Sequence, residues 1–173
     1  MRRSFLFVIV FAAIVALPCR VMGQTSSTAA NVGVDAKVIA PITITNTSST
    51  PLNFGTVSRS SIAGTVTVAT DGSRTYSGGA SILTSSAATA APFTVTGENS
   101  ASYNITLPSN TAVVLTRVGG SETMSVTAFT HNSSLVLSST GSAAFSVGAT
   151  LNLGAEQVAG TYQGSFSLTV AYQ

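Results

Sequence analysis

Residues 159–173 read AGTYQGSFSLTVAYQ, and their pattern decides how the rest of the chain is interpreted. The odd positions from Thr161 onward carry small or polar side chains. The even positions are Tyr162, Gly164, Phe166, Leu168, Val170 and Tyr172. Because side chains alternate between the two faces of a β-strand, this period of two predicts one long strand with a single buried face.

The same alternation recurs upstream in short runs that Gly, Pro, Asn and Ser separate. The runs are 34–45, 52–57, 64–70, 74–76, 81–83, 91–97, 102–108, 112–118, 122–131, 135–137 and 142–153. Pro41 predicts an edge strand or a change of sheet, and Gly148 predicts a bend or bulge. About ten short strands without helix signals predict an all-β fold, an immunoglobulin-like β-sandwich of two antiparallel sheets over residues 32–173, of the pilin and adhesin kind.

The N-terminus predicts a secretory signal peptide over residues 1–23. Arg2 and Arg3 precede the apolar run Phe5–Leu17, which is shorter than the roughly 20 residues that span a bilayer. Residues 24–31 are expected to form a flexible lead. The mature chain is therefore expected in the periplasm, at the cell surface or outside the cell, without a transmembrane segment. Its only cysteine, Cys19, leaves with the leader, so no disulfide is expected.

Removal of the leader changes the charge balance. The mature chain keeps four basic residues, which are Lys37, Arg59, Arg74 and Arg117. It keeps five acidic residues, which are Asp35, Asp71, Glu98, Glu122 and Glu156. The net charge is then −1, and the sequence predicts no nucleic-acid partner because no basic patch remains to neutralise phosphates. Few charges combined with high β-propensity favour association between chains.

The sequence carries no recognisable catalytic or metal-binding pattern. His131 is the only histidine, and neither a G-x-S-x-G elbow nor a calcium-loop motif is present. A catalytic triad needs a nucleophile, a base and an orienting acid, and His131 is interpreted as a loop residue outside any such triad. The prediction is a non-enzymatic protein without a cofactor or a metal ion.

Three pairs of stretches together resemble a bacterial family of unknown function, DUF4402. They are VIAPITIT with LNFGTV, APFTVTG with NITLP, and GATLNL with the C-terminal AGTYQGSFSLTVAYQ. The resemblance extends over about residues 32–173. It implies an exported protein and no enzyme activity.

The C-terminal stretch is also similar to the last strand of chaperone–usher pilins and of spore-coat-U-like pilins. Those subunits have a glycine at the fourteenth position from the end, alternating apolar residues and a penultimate aromatic. In such pilins the last strand binds a periplasmic chaperone, and it later borders a groove that the N-terminal extension of the next subunit fills. The resemblance implies a strand-pairing site at Gly160, Tyr162, Phe166, Leu168, Val170 and Tyr172.

A candidate donor segment alternates in the same way near the N-terminus, at Ala30, Val32, Val34, Ala36 and Val38. The implied partners are copies of this chain or a periplasmic chaperone. Two features depart from common pilins, namely the missing disulfide and the small donor side chains. The same segment could instead be the first strand of its own domain.

Two functions therefore remain open. The first is a structural, fimbrial subunit that assembles by β-strand complementation. The alternative is a self-contained secreted binding module for a carbohydrate or protein ligand, for which Tyr76 and Tyr103 are the aromatic candidates.

Overall fold

The computed structural model describes residues 27–110 and 112–173. These residues form an all-β structure whose ladders are antiparallel, with a single 3₁₀ turn at Thr47–Ser49 and no α-helix. The strands are β1 Thr43–Asn46, β2 Val57–Ser58, β3 Gly64–Val68, β4 Arg74–Gly78, β5 Ser81–Ile82, β6 Ala91–Thr96, β7 Tyr103–Thr106, β8 Val113–Arg117, β9 Thr123–His131, β10 Ser142–Leu153, β11 Tyr162–Gln163 and β12 Thr169–Tyr172. None of the described residues forms a helix long and apolar enough to cross a bilayer.

Strand β10 organises the largest sheet. Its first half, Ser142–Val147, pairs with β6, and its second half, Ala149–Leu153, pairs with β3. Its other edge pairs with β9, so the order of the main path is β1-β6-β10-β9-β8-β11. The pairs β12-β7 and β2-β5 form two further small sheets. The prediction of one long strand over 142–153 is confirmed.

Alternating side chains build two core clusters. The first cluster lies under β3, β8, β9 and the second half of β10, and its buried members are Phe54, Val66, Val68, Ala80, Val113, Met124, Val126, Ala149, Leu151 and Leu153. The second lies under β6, β7 and the first half of β10, with Val95, Tyr103, Leu137, Phe145 and Val147. These clusters bury the inward positions of the predicted runs, as the period of two requires.

A β-bulge joins the two clusters. The β9–β10 register shifts between Gly148 and Thr150, and Ala128 adopts a positive φ of 50° at this place. The bulge reverses the alternation of β9, so Phe129 turns inward and packs against both clusters. The sequence analysis predicted a bend or bulge at Gly148, and the register shift confirms it. In β9 the extra residue shifts the parity of the side chains.

The C-terminal stretch is not one continuous strand. Tyr162–Gln163 pairs with β8, whereas Thr169–Tyr172 pairs with β7. Residues 164–168 lie between these two ladders and belong to neither. The alternation of side chains persists through the gap, and Phe166, Leu168, Val170 and Tyr172 all pack against the second cluster. The prediction of a single strand is therefore wrong for the backbone pairing, whereas the predicted inward orientation of the alternating side chains is confirmed.

Other predicted strands are shorter or missing. Residues 27–42 form no strand, and the first one begins at Thr43, after Pro41. The predicted strand at 52–57 is reduced to a bridge between Asn53 and Thr89 followed by β2, and 135–137 contributes only a bridge. Lys37–Gln173 is one compact unit, and Met1–Ala36 is a separate unit of which residues 27–36 are described. The predicted signal peptide lies outside the described residues.

Candidate functional site

A cleft of about 1140 Å³ opens onto the first core cluster. Its first wall is residues 51–57 and its second wall is residues 157–166. Core side chains reached from the cleft form its floor, and these are Phe54, Val113, Met124, Val126, Leu151 and Leu153. The cleft therefore reaches the first core cluster between an early and a late segment of the chain, and its floor side chains are at most 9% exposed. Small-molecule pockets are typically about 300–1000 Å³, so this cleft is large for such a ligand.

Arg74 holds the first wall in place. Its guanidinium donates to the carbonyl oxygens of Phe54 at 2.7 Å, Leu83 at 2.7 Å and Ser86 at 3.0 Å. Gly55 sits against this guanidinium with a positive φ of 69°, and a side chain there would collide with Arg74. An arginine with three main-chain acceptors cross-links the wall to the loop that follows β5.

Hydrogen bonds within the second wall connect its first residues to Tyr162 in β11. The Tyr162 hydroxyl donates to the carbonyl oxygen of Val158 at 2.7 Å and accepts from Gln157 Nε2 at 2.8 Å. Gly164 packs so closely on β8 that a Cβ would lie 2.6 Å from the Val114 carbonyl oxygen. These contacts hold residues 157–166 along one side of the cleft.

Two contacts bridge the walls at one end. Arg59 Nη1 lies 3.4 Å from the carbonyl oxygen of Gln157 and 3.8 Å from Glu156 Oε2. Next to them the Glu156 amide donates to the Ser60 carbonyl oxygen at 2.9 Å. These contacts close the end of the cleft that lies beside Arg59 and Ser60, just after the first wall.

Aromatic rings form the other end of the cleft. Phe166 stands 5.2 Å from Phe129 and 6.2 Å from Phe93, measured between ring centroids. All three residues line the cleft. Since Phe129 and Phe166 also pack against both clusters, this aromatic group marks the junction between the open part of the core and the covered part.

An ion pair supports the second wall from outside the cleft. Arg117 donates to Glu122 through Nε at 2.6 Å and through Nη2 at 3.2 Å. Its side-chain stem lies beneath Gly160, where a Cβ would come within 2.8 Å of Arg117 Cδ. The Arg117 guanidinium lowers the pKa of the Glu122 carboxyl through this hydrogen bond.

Glu122→Gln is expected to flatten the acid limb of the stability profile. A carboxyl whose pKa is lowered by folding stabilises the protein above its unfolded pKa of about 4.3 and loses that contribution as the pH falls below it. The wild type should therefore lose stability more steeply between about pH 5 and pH 3 than the variant does. Urea unfolding across this range measures the difference, and identical profiles would contradict the role of the pair.

The sequence-derived strand-pairing residues divide into two groups. Gly160, Tyr162 and Phe166 line the cleft. Leu168, Val170 and Tyr172 pack against the second cluster instead. Sequence reasoning did not identify the first wall as part of the site, nor Arg74 as its support. The only signal was a run, LNFGTV, with strand-like alternation interrupted by a glycine.

The candidate donor residues lie in the exposed N-terminal part of the described chain. The side chains of Val32, Val34 and Val38 are 81%, 92% and 94% exposed, and Ala30 and Ala36 are exposed as well.

The other residues considered from sequence lie outside the cleft. His131 accepts a hydrogen bond from the Ser133 amide at 3.2 Å and lies edge-on to Phe145. Tyr103 is fully buried, with its hydroxyl 2.6 Å from Ser133 Oγ, so it cannot contact a surface ligand, whereas Tyr76 is exposed on β4. Among the described residues, no three His, Cys, Asp or Glu side chains group as metal ligands.

Comparison with known proteins identifies a family. The profile of the family described as "Domain of unknown function (DUF4402)" matches residues 42–172. This range includes both walls and the floor of the cleft and excludes the exposed segment 27–36. No curated protein and no solved structure is significantly similar to the chain.

Proposed function

Since the chain belongs to the DUF4402 family, whose function is unknown, we propose that it is an exported, non-enzymatic structural protein that assembles by β-strand complementation. It acts in the periplasm, at the cell surface or outside the cell, as a pilin-like fimbrial subunit. Its strands form an immunoglobulin-like sandwich that lacks a strand at the cleft. The observation that carries this proposal is the open core between the two walls.

The chemistry of the cleft favours an extended peptide over a small molecule. Its floor is apolar, while residues 164–166 of the second wall lie outside every described ladder although the alternation of side chains continues through them. A peptide strand supplies apolar side chains to the floor and hydrogen-bonding groups to the exposed backbone at the same time. A lipid or a drug-sized ligand would satisfy only the floor.

Residues 30–38 have the properties of such a strand. If this segment is extended, Ala30, Val32, Val34, Ala36 and Val38 fall on one face. The opposite face carries Asn31, Gly33, Asp35 and Lys37. Small apolar side chains suit a floor that already holds the large side chains of Phe54, Met124 and Leu151.

A charge placed on the apolar face of the segment tests this function. Val32→Asp in the full chain, expressed with its leader and purified after export, would bury a carboxylate in the cleft and is expected to weaken association at least ~100-fold. Asn31→Asp introduces the same charge one position away, on the polar face, and is expected to assemble as the wild type does. Analytical ultracentrifugation measures both.

Two outcomes would overturn the proposal. One is a wild-type protein that stays monomeric at high concentration with a single cooperative unfolding transition, which would favour the self-contained binding module. The other is equal assembly of Val32→Asp and Asn31→Asp.

A further inference from the structure

Tyr172 connects the last strand to the segment that precedes the first strand. Its hydroxyl donates to the carbonyl oxygen of Ala40 at 2.8 Å and accepts from the amide of Glu98 at 2.6 Å. Gly97 leaves the space for this hydroxyl, since a Cβ there would collide with it. A side chain from the C-terminal strand thus fixes the main chain at Ala40.

Glu98 fixes the same segment from a second side. Its carboxylate accepts from the Ala40 amide at 3.2 Å and lies 3.3 Å from Lys37 Nζ. The Ala40 amide and, next, Lys37 lower the pKa of Glu98. We call Lys37, Ala40, Glu98 and Tyr172 the Ala40 latch. Both main-chain polar groups of Ala40 are occupied in it.

The latch lies apart from the cleft. None of its four residues lines the cleft, and the first residue that does is Asn46, at the end of β1. Asn46 is six positions after Ala40, which corresponds to at most about 20 Å of extended chain. The base of the donor segment is therefore held one strand length away from the cleft.

The latch also occupies the return path. Within the described part of the chain, β1 pairs only with β6 and β12 pairs only with β7, so one edge of each has no strand partner there. The two strands lie close together. To enter its own cleft, the donor segment would have to reverse direction at residues 37–42 and run back beside β1. Tyr172 reaches across from β12 to Ala40 at this place. A reversal that includes Ala40 would break its bond to Tyr172, and a reversal that includes Lys37 would break the contact of Lys37 with Glu98.

From this geometry we infer that the Ala40 latch prevents the chain from filling its own cleft, so that the occupant is the segment 30–36 of a second copy. The inference rests on the proposed function above. The eleven residues from Ala30 to Ala40 span up to about 35 Å when extended, enough to reach a neighbouring molecule. The latch remains closed in the donor while its segment lies in the acceptor.

A double variant tests the latch. Tyr172→Phe/Glu98→Gln in the full chain keeps the ring in the second cluster and removes the hydroxyl bonds and the charge. Tyr76→Phe/Asp71→Asn is the matched control, and neither residue belongs to the latch or lines the cleft. The latch variant is expected to form about tenfold less oligomer. The monomer of the latch variant should be protected from hydrogen exchange over 158–166, because its own donor segment fills the cleft. For the same reason it should bind a labelled peptide of residues 28–38 about tenfold more weakly than the wild-type monomer, whose cleft is unfilled.

The outcomes separate this inference from the proposed function. If the latch variant assembles as the control does, or gives a monomer with an unprotected cleft, the latch inference is wrong and strand complementation stands. If the wild type neither assembles nor binds the peptide, strand complementation itself is wrong. A melting temperature close to that of the control shows that the latch variant is folded, and Tyr172→Phe alone provides a milder second variant.

Discussion

Arg74→Met is expected to destabilise the protein by about 2–4 kcal/mol, because it leaves three main-chain carbonyls, two of them in part-buried contacts, without their charged donor. Methionine preserves the length of the apolar stem, so the loss reports on the three hydrogen bonds to Phe54, Leu83 and Ser86. Chemical denaturation measures this loss. The same variant is expected to bind the peptide of residues 28–38 more weakly, since the first wall loses its support.

Arg59→Met is the matched control for this prediction. Arg59 is half exposed, and its contacts with Gln157 and Glu156 are long, at 3.4 and 3.8 Å. Exposed contacts of this kind contribute little, so the expected change is below about 0.5 kcal/mol. An equal loss in the two variants would show that Arg74 is not the structural support of the wall.

Gly148→Ala is expected to lower the free energy of unfolding by about 3 kcal/mol, because β10 has no room for a Cβ at this position. The added carbon would collide with the Val68 carbonyl oxygen and approach the main chain of Ala69 to 2.9 Å. Both obstacles are backbone atoms, which cannot rotate away. Thermal unfolding should show a melting temperature lower by roughly 6–12 °C.

Gly119→Ala separates this collision from the cost of backbone conformation. Gly119 has a positive φ of 76°, but nothing lies within 4 Å of the added carbon. Its expected cost is about 1 kcal/mol, from the left-handed conformation alone. If Gly148→Ala is as stable as Gly119→Ala or more stable, the prediction is wrong, and β3 and β10 can move apart at little cost.

Period-two alternation predicted the fold class because burial on one face is a local property of a strand. Val66, Val68 and Val126 occupy the core positions that their runs predict. The failures occur where pairing depends on distant partners. The run at 52–57 alternates like a strand, yet its backbone lies at the edge of a cleft and forms only the Asn53–Thr89 bridge before β2 begins at Val57.

The site was only partly predictable for the same reason. Alternation and the glycine-to-tyrosine spacing pointed to the C-terminal wall, and Gly160, Tyr162 and Phe166 do line the cleft. The contact between Tyr172 and Ala40 joins residues that are 132 positions apart, through a hydroxyl and a main-chain carbonyl. No local pattern encodes such a bond, so a penultimate aromatic could be noticed in the sequence but its partner could not.

The aromatic junction between the two clusters has a mechanical consequence. Phe129 and Phe166 touch both halves of the interior, so a strand seated beside them would restrict ring motion on either side. Binding of the donor segment would then make the whole acceptor subunit more rigid, including the second cluster, which the donor segment does not contact. Under the proposed assembly, the resistance of a filament to stretching would depend on the aromatic rings inside each subunit as much as on the interfaces between subunits.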